Sequence, residues 1–163
     1  MRYFTPELIE RFGALDDDIA DAAQREWDET SKRYREHLAG IGRHLPSQFR
    51  TLLDDYRLHD ARVVLLGVGP HETSQLFRLE LISVTAPEQP LMLTYVLTPD
   101  AETRLPRIAD LARERYWLYD EVDIVGGAAS RTFSHTILLS DGMELVLHFT
   151  DFQLAAVPLA SHT

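Results

Sequence analysis

Cysteine is absent from the chain and lysine occurs once, among 163 residues. Without cysteine there are no disulfides, thiolate metal sites, iron–sulfur clusters or cysteine nucleophiles, and the composition fits a reducing compartment. Long apolar runs are also missing. The longest, VVLLGV at 63–68, has the length of a strand, far short of the roughly eighteen residues a membrane helix needs. The opening MRYFTPELIERF lacks an apolar core and a small-residue cleavage site, so no signal peptide is read and a cytoplasmic location is expected. Positive charge is scarce too: 16 bases stand against 26 acids, a formal net charge of −10. The deficit is spread, with thirteen acids against nine bases in residues 1–60 and thirteen against seven in 61–163. Neither half offers a basic face, which disfavours phosphate-tracking nucleic-acid binding and anionic membranes. A charge-guided partner of such a chain is a basic protein.

What is present suits one globular domain, residues 1–163, with 45% hydrophobic and 26% charged residues. The pattern divides it into a helical part, 1–58, and a sheet part, 60–154. Thr5-Pro6-Glu7 reads as a helix start and Gly13 as its end. Asp16-Asp17-Asp18 opens a longer helix over 17–39, whose seam is Ile19, Ala23, Trp27, Thr30, Tyr34, Leu38 and Ile41, with Gly40 as its stop. A third helix begins near Pro46 and aligns Phe49, Leu52, Leu53 and Tyr56. From residue 60 the period changes to two. Phe77, Leu79 and Leu81 alternate with Arg78 and Glu80; Leu91, Leu93, Tyr95 and Leu97 share a face. Pro87 and Pro90 bracket the intervening turn, and GVGPHET at 67–73 reads as another. PRIADLARE supplies a short helix within 99–114, and three more strands follow near 116–125, 132–139 and 143–150. Helices first and strands afterwards predict an α+β fold, with the helices packed on one face of a mostly antiparallel sheet of about six strands. LHDARVVLL and LYDEVDIV, sixty positions apart, hint at a duplicated meander.

Three groups of residues bear on chemistry. In FSHTILLSDGMELVLHF, a two-residue Asp141-Gly142 loop sets His135 opposite His148, close enough to share a metal. A three-residue Ser140-Asp141-Gly142 loop instead pairs Phe133 with Phe149, Ile137 with Leu145 and Leu139 with Met143, all on one face. One residue of slip moves every side chain across the sheet, so this apolar matching favours the longer loop and separates the histidines. His59-Asp60 is the second group. Entering a strand, its members point to opposite faces, and Asp60 reads as a junction residue bonding local backbone, with Asp120 of LYDE as its analogue. The third is the strand 116–125, where Leu118, Asp120, Val122 and Ile124 share one face and Trp117, Tyr119, Glu121 and Asp123 the other. Two amphipathic aromatics beside two acids form the candidate partner-binding stripe. Gly-x-Ser-x-Gly, phosphate-loop and dinucleotide motifs are missing, so no catalytic, metal or cofactor residues are assigned.

MRYFTPELIERF, DDDIADAAQREWDE, KRYREHLAGI, RHLPSQFRTLL and LHDARV together resemble a bacterial family known as a domain of unknown function, over roughly residues 1–65. The resemblance implies bacterial origin and a shared fold but no activity; fifteen arginines to one lysine also suit a GC-rich bacterial genome. The functional expectation is a non-catalytic acidic interaction domain, immunity-like or adaptor, with a basic protein as partner. The alternative is a metal-dependent hydrolase built on His59, Asp60, Asp120 and a histidine of the last hairpin.

Overall fold

The computed structural model describes residues 1–71, 74–99, 103–105, 114–126 and 131–157. Three helices lead: α1 Pro6–Phe12, α2 Asp17–Ile41 and α3 Ser47–Asp55. Six strands follow: β1 Arg62–His71, β2 Ser74–Ser83, β3 Ala86–Leu97, β4 Arg115–Val125, β5 Thr132–Leu139 and β6 Glu144–Ala156. The α+β reading stands, and all six strands pair antiparallel. Beyond the expected layering, the sheet closes on itself in the order β1-β2-β3-β6-β5-β4. The segment read as a helix at PRIADLARE lies mostly outside the described residues.

The helix signals work locally. The Thr5 hydroxyl accepts the Leu8 amide with Pro6 in the first turn, and Asp16 caps α2 by accepting the amides of Asp18 and Ile19. The α2 seam packs as spaced, apart from Ile19, which is exposed. Gly40 does not stop the helix. Leu38 and Ile41 pack on the core and carry it through to a 3-10 turn at Gly42–His44, outweighing the roughly 1 kcal/mol that an interior glycine costs.

The strand faces follow alternation. Leu81 opposes Leu91, Leu79 opposes Leu93 and Phe77 opposes Tyr95, all buried inside the barrel. Pro90 belongs to β3 rather than to a turn; it lies where the β2–β3 ladder is irregular, so its missing N–H breaks no bond. Gly67 and Pro70 likewise lie in β1. The last hairpin takes the three-residue register: Phe133 faces Phe149, Ile137 faces Leu145, and Gly142 turns with φ +80°.

The two three-strand meanders are related by an approximate two-fold exchange of β1 with β4, β2 with β5 and β3 with β6, which leaves the strand order unchanged. Each opens with a bulge, at Val64 in β1 and Leu118 in β4, which twists and bends the strand toward closure. These bulges place Val64 on Leu118, so Asp60 corresponds to Glu114 and not to Asp120. The seam is short: only Arg62–Tyr116 and Val63–Arg115 pair, extended by bonds of Asp60 and Ala61 to Trp117. Past it, the edge of β4 is covered by α2. The Val122 N–H donates to the Tyr34 hydroxyl at 2.9 Å, and its carbonyl meets His37 at 3.3 Å. An exposed strand edge is thereby closed by side chains instead of a neighbour.

Candidate interaction surface

The four residues of the stripe part company in the fold. The extra residue Leu118 shifts the alternation, so Trp117 points inward opposite Leu139 with no exposed surface, while Tyr119, Glu121 and Asp123 stay on the outer face. Strict alternation put Trp117 on the wrong side. A bulge leaves little trace in sequence, because it changes the count along one strand only relative to its partner.

Inside, Trp117 joins a polar chain. Its Nε1 donates to Asp120 Oδ1 at 3.0 Å, Asp120 Oδ2 meets His135 Nε2 at 3.1 Å, and His135 Nδ1 meets the Tyr95 hydroxyl at 2.9 Å. A carboxylate only accepts, so Nε2 carries the hydrogen, and in the neutral ring Nδ1 takes the tyrosine's hydrogen. Every member has a partner, which is what permits such a group within an apolar barrel. Burial, with the Asp120 charge second, pushes the Tyr95 phenol well above its ordinary value. His135 is completely buried, with the Phe49 ring edge-on at 4.9 Å. Asp120 is therefore a partner of the barrel's interior histidine.

Outside, Glu121 is 8% exposed and accepts three consecutive amides: Arg2 at 2.6 Å, Tyr3 at 2.7 Å and Phe4 at 2.7 Å. The stripe's first acid thus holds the chain's own leading segment. Behind it the rings interlock, Tyr3 on Tyr34 at 5.1 Å and Phe4 edge-on to Tyr34 at 5.4 Å. Burial, ahead of Asp120, raises the Tyr34 phenol strongly. Asp123 is half-buried and 3.4 Å from His37 Nε2. A cleft of about 300 Å³ opens beside these groups, lined by Tyr3, Asp123, Ser134, Thr136 and His148.

Tyr119 has a different setting. Its ring lies 5.6 Å from Phe4, 4.7 Å from Trp27 and 5.0 Å from His59, and burial followed by the Asp60 charge raises its phenol. The His59-Asp60 turn does bend, with Asp60 at φ +65°, a left-handed conformation that Asp tolerates better than most side chains. The bend brings His59 Nδ1 to 2.9 Å from Asp60 Oδ2, but both side chains stand more than half exposed and neither lines that cleft. Asp60 anchors the junction through its amide, which donates to the Trp117 carbonyl at 2.8 Å.

The pairs of the alternative reading stay apart. His59 sits with Asp60 on the surface, Asp120 with His135 in the interior, and His148 faces Ser134 on the outer wall. Among the described residues no three His, Asp or Glu side chains gather as metal ligands would. Nor is any described helix long and apolar enough to cross a membrane.

A second acidic surface lies outside the stripe, and every residue of it is visible in sequence. Between residues 16 and 29, seven acids stand against the single base Arg25, and all eight are exposed at the cap and along the first half of α2. Beside them Phe12, Leu15 and Ile19 are exposed, with Leu15 fully in solvent. The acids read as a capping and solubility feature, and Ile19 as part of the buried seam. In comparison with known proteins, the chain matches no family model and no curated protein.

Proposed function

We propose that this chain is a non-catalytic acidic interaction domain of the immunity or adaptor kind, working in the bacterial cytoplasm and capturing a basic protein. The observation that carries this reading is the first half of α2. Seven exposed acids fall between residues 16 and 29, and the exposed apolar Phe12, Leu15 and Ile19 precede or interleave with them in the chain. Neighbouring apolar side chains left partly or fully in solvent favour association, while nearby acids attract and orient a basic partner. Arginine-rich composition with almost no lysine supports the bacterial setting.

The groups with catalytic potential serve other ends in this reading. His135 and Asp120 bond one another inside the barrel, and the Glu121 carboxylate is filled by backbone amides. Of the stripe, half-buried Tyr119 adjoins this helix, 4.7 Å from Trp27, and half-buried Asp123 lies further along it at His37.

The test is affinity capture from the source organism with tagged wild type and with the triple variant Asp17→Lys, Asp21→Lys, Glu29→Lys. Wild type should retain a basic protein that is released by moderate salt. The variant, folded by circular dichroism, should retain at least tenfold less. Equal retention by the two proteins would sink the proposal.

A further inference from the structure

Four aromatic rings from four elements form one continuous chain of contacts that reaches the surface at both ends. Phe12 at the end of α1 lies 5.5 Å from Trp27 of α2. Trp27 lies 4.7 Å from Tyr119 of β4, and Tyr119 lies 5.0 Å from His59 at the α3–β1 junction. The outer members are open, Phe12 at 42% and the His59 side chain at 51%. Trp27 and Tyr119 are half-buried, and Phe4 supports both from beneath at 4.9 Å and 5.6 Å. Helix and barrel hold the rings before anything binds, so a ligand meets a surface already ordered.

From the ridge we infer the chemistry of the partner: a segment bearing arginine side chains lies along Phe12, Trp27, Tyr119 and His59. This inference rests on the interaction reading above. Aromatic faces carry negative quadrupole density and attract cations, and the planar guanidinium stacks on them better than an ammonium does. Carboxylates stand at both ends. Asp16 ends the α1–α2 turn and Asp17 and Asp18 open α2, four to six residues after Phe12, and Asp60, its side chain 62% exposed, adjoins His59. Glu26, beside Trp27 in sequence, already shows the pairing, holding the Arg11 guanidinium at 2.6 Å.

Charge excludes the competing occupants. Stacked nucleobases would bring phosphates toward the acids. A second copy would bring the same acids and a net charge of −10. The line of centroids spans at most about 15 Å, the reach of roughly four or five extended residues, which suits two or three arginines on alternate positions of a strand-like peptide.

The experiment uses fluorescein-labelled decapeptides of alternating arginine and glycine, with lysine–glycine and glutamate–glycine counterparts and a ten-nucleotide oligothymidine. Binding is followed by anisotropy and by tryptophan emission. The arginine peptide should bind saturably, several-fold tighter than the lysine peptide, and change the emission of Trp27. The double variant Phe12→Ser, His59→Ser should bind it at least tenfold more weakly, whereas Val68→Ser, equally exposed on β1, should bind as wild type. Equal binding by the double variant, or comparable binding of the glutamate peptide or the oligonucleotide, would overturn the inference. If wild type captures its native basic protein but ignores the arginine peptide, the ridge is refuted and the interaction reading stands. If it captures neither, both fall.

Discussion

A carboxylate can sit buried in a barrel wall when hydrogen bonds replace the water it loses, and Glu121 replaces it with three backbone amides. Bonds to a charged acceptor are worth roughly 1.5–3 kcal/mol each, and this cluster joins residues more than a hundred positions apart. Glu121→Gln keeps the shape but turns amide hydrogens toward amide hydrogens. It should lower unfolding free energy by about 2–3 kcal/mol in urea titrations. Unchanged stability would mean that the leading segment contributes nothing to the folded state. Alternation correctly put Glu121 on the outer face, beside Tyr119 and Asp123. That the chain's first residues return to cover it lies beyond local pattern, since nothing near either segment names the other.

At the scale of elements, the last hairpin and β4 make opposite lessons. The hairpin was legible because its register depends on neighbours: a Gly at φ +80° and apolar pairs that match in only one alignment. In β4 the extra residue Leu118 breaks alternation and sends Trp117 inside to hydrogen-bond Asp120. Deleting Leu118 should force a choice between ladder and core, leaving either Trp117 or the outer residues misplaced. The deletion is expected to lose cooperative unfolding and to shift tryptophan emission to longer wavelength. Leu118→Ala, which keeps the count, should retain both native features. A native-like deletion variant would show that the bulge is dispensable. The Gly40 stop failed for a related reason, because packing of Leu38 and Ile41 outweighs one residue's propensity.

The whole molecule is a barrel with a short seam, sealed on one side by a helix, and two phenols mark its two layers. Tyr95 lies in the barrel and Tyr34 between barrel and α2. Burial raises both phenols above the ordinary value near 10. A group raised in the folded state contributes stability that is whole below its unfolded pKa and is lost as pH climbs toward the folded one. Urea midpoints should therefore hold up to about pH 10 and fall steeply above it. Tyr34→Phe should be less stable at neutral pH, having lost the acceptor for Val122, yet show a shallower alkaline fall. A wild-type curve flat to about pH 11.5 would refute this picture of buried phenols.

Sequence alone determined the helix starts, the period of the strands, the hairpin register and the acid excess, because each rests on residues close together in the chain. It also supplied Tyr119, and the bulky rings from which the surface ridge is assembled. Tertiary structure decided that the sheet closes, that Trp117 turns inward, that Glu121 binds the leading segment, and that Phe12, Trp27, Tyr119 and His59 meet in one chain of contacts. Those outcomes depend on curvature accumulated over several bulged strands and on contacts between distant segments, which no local periodicity encodes.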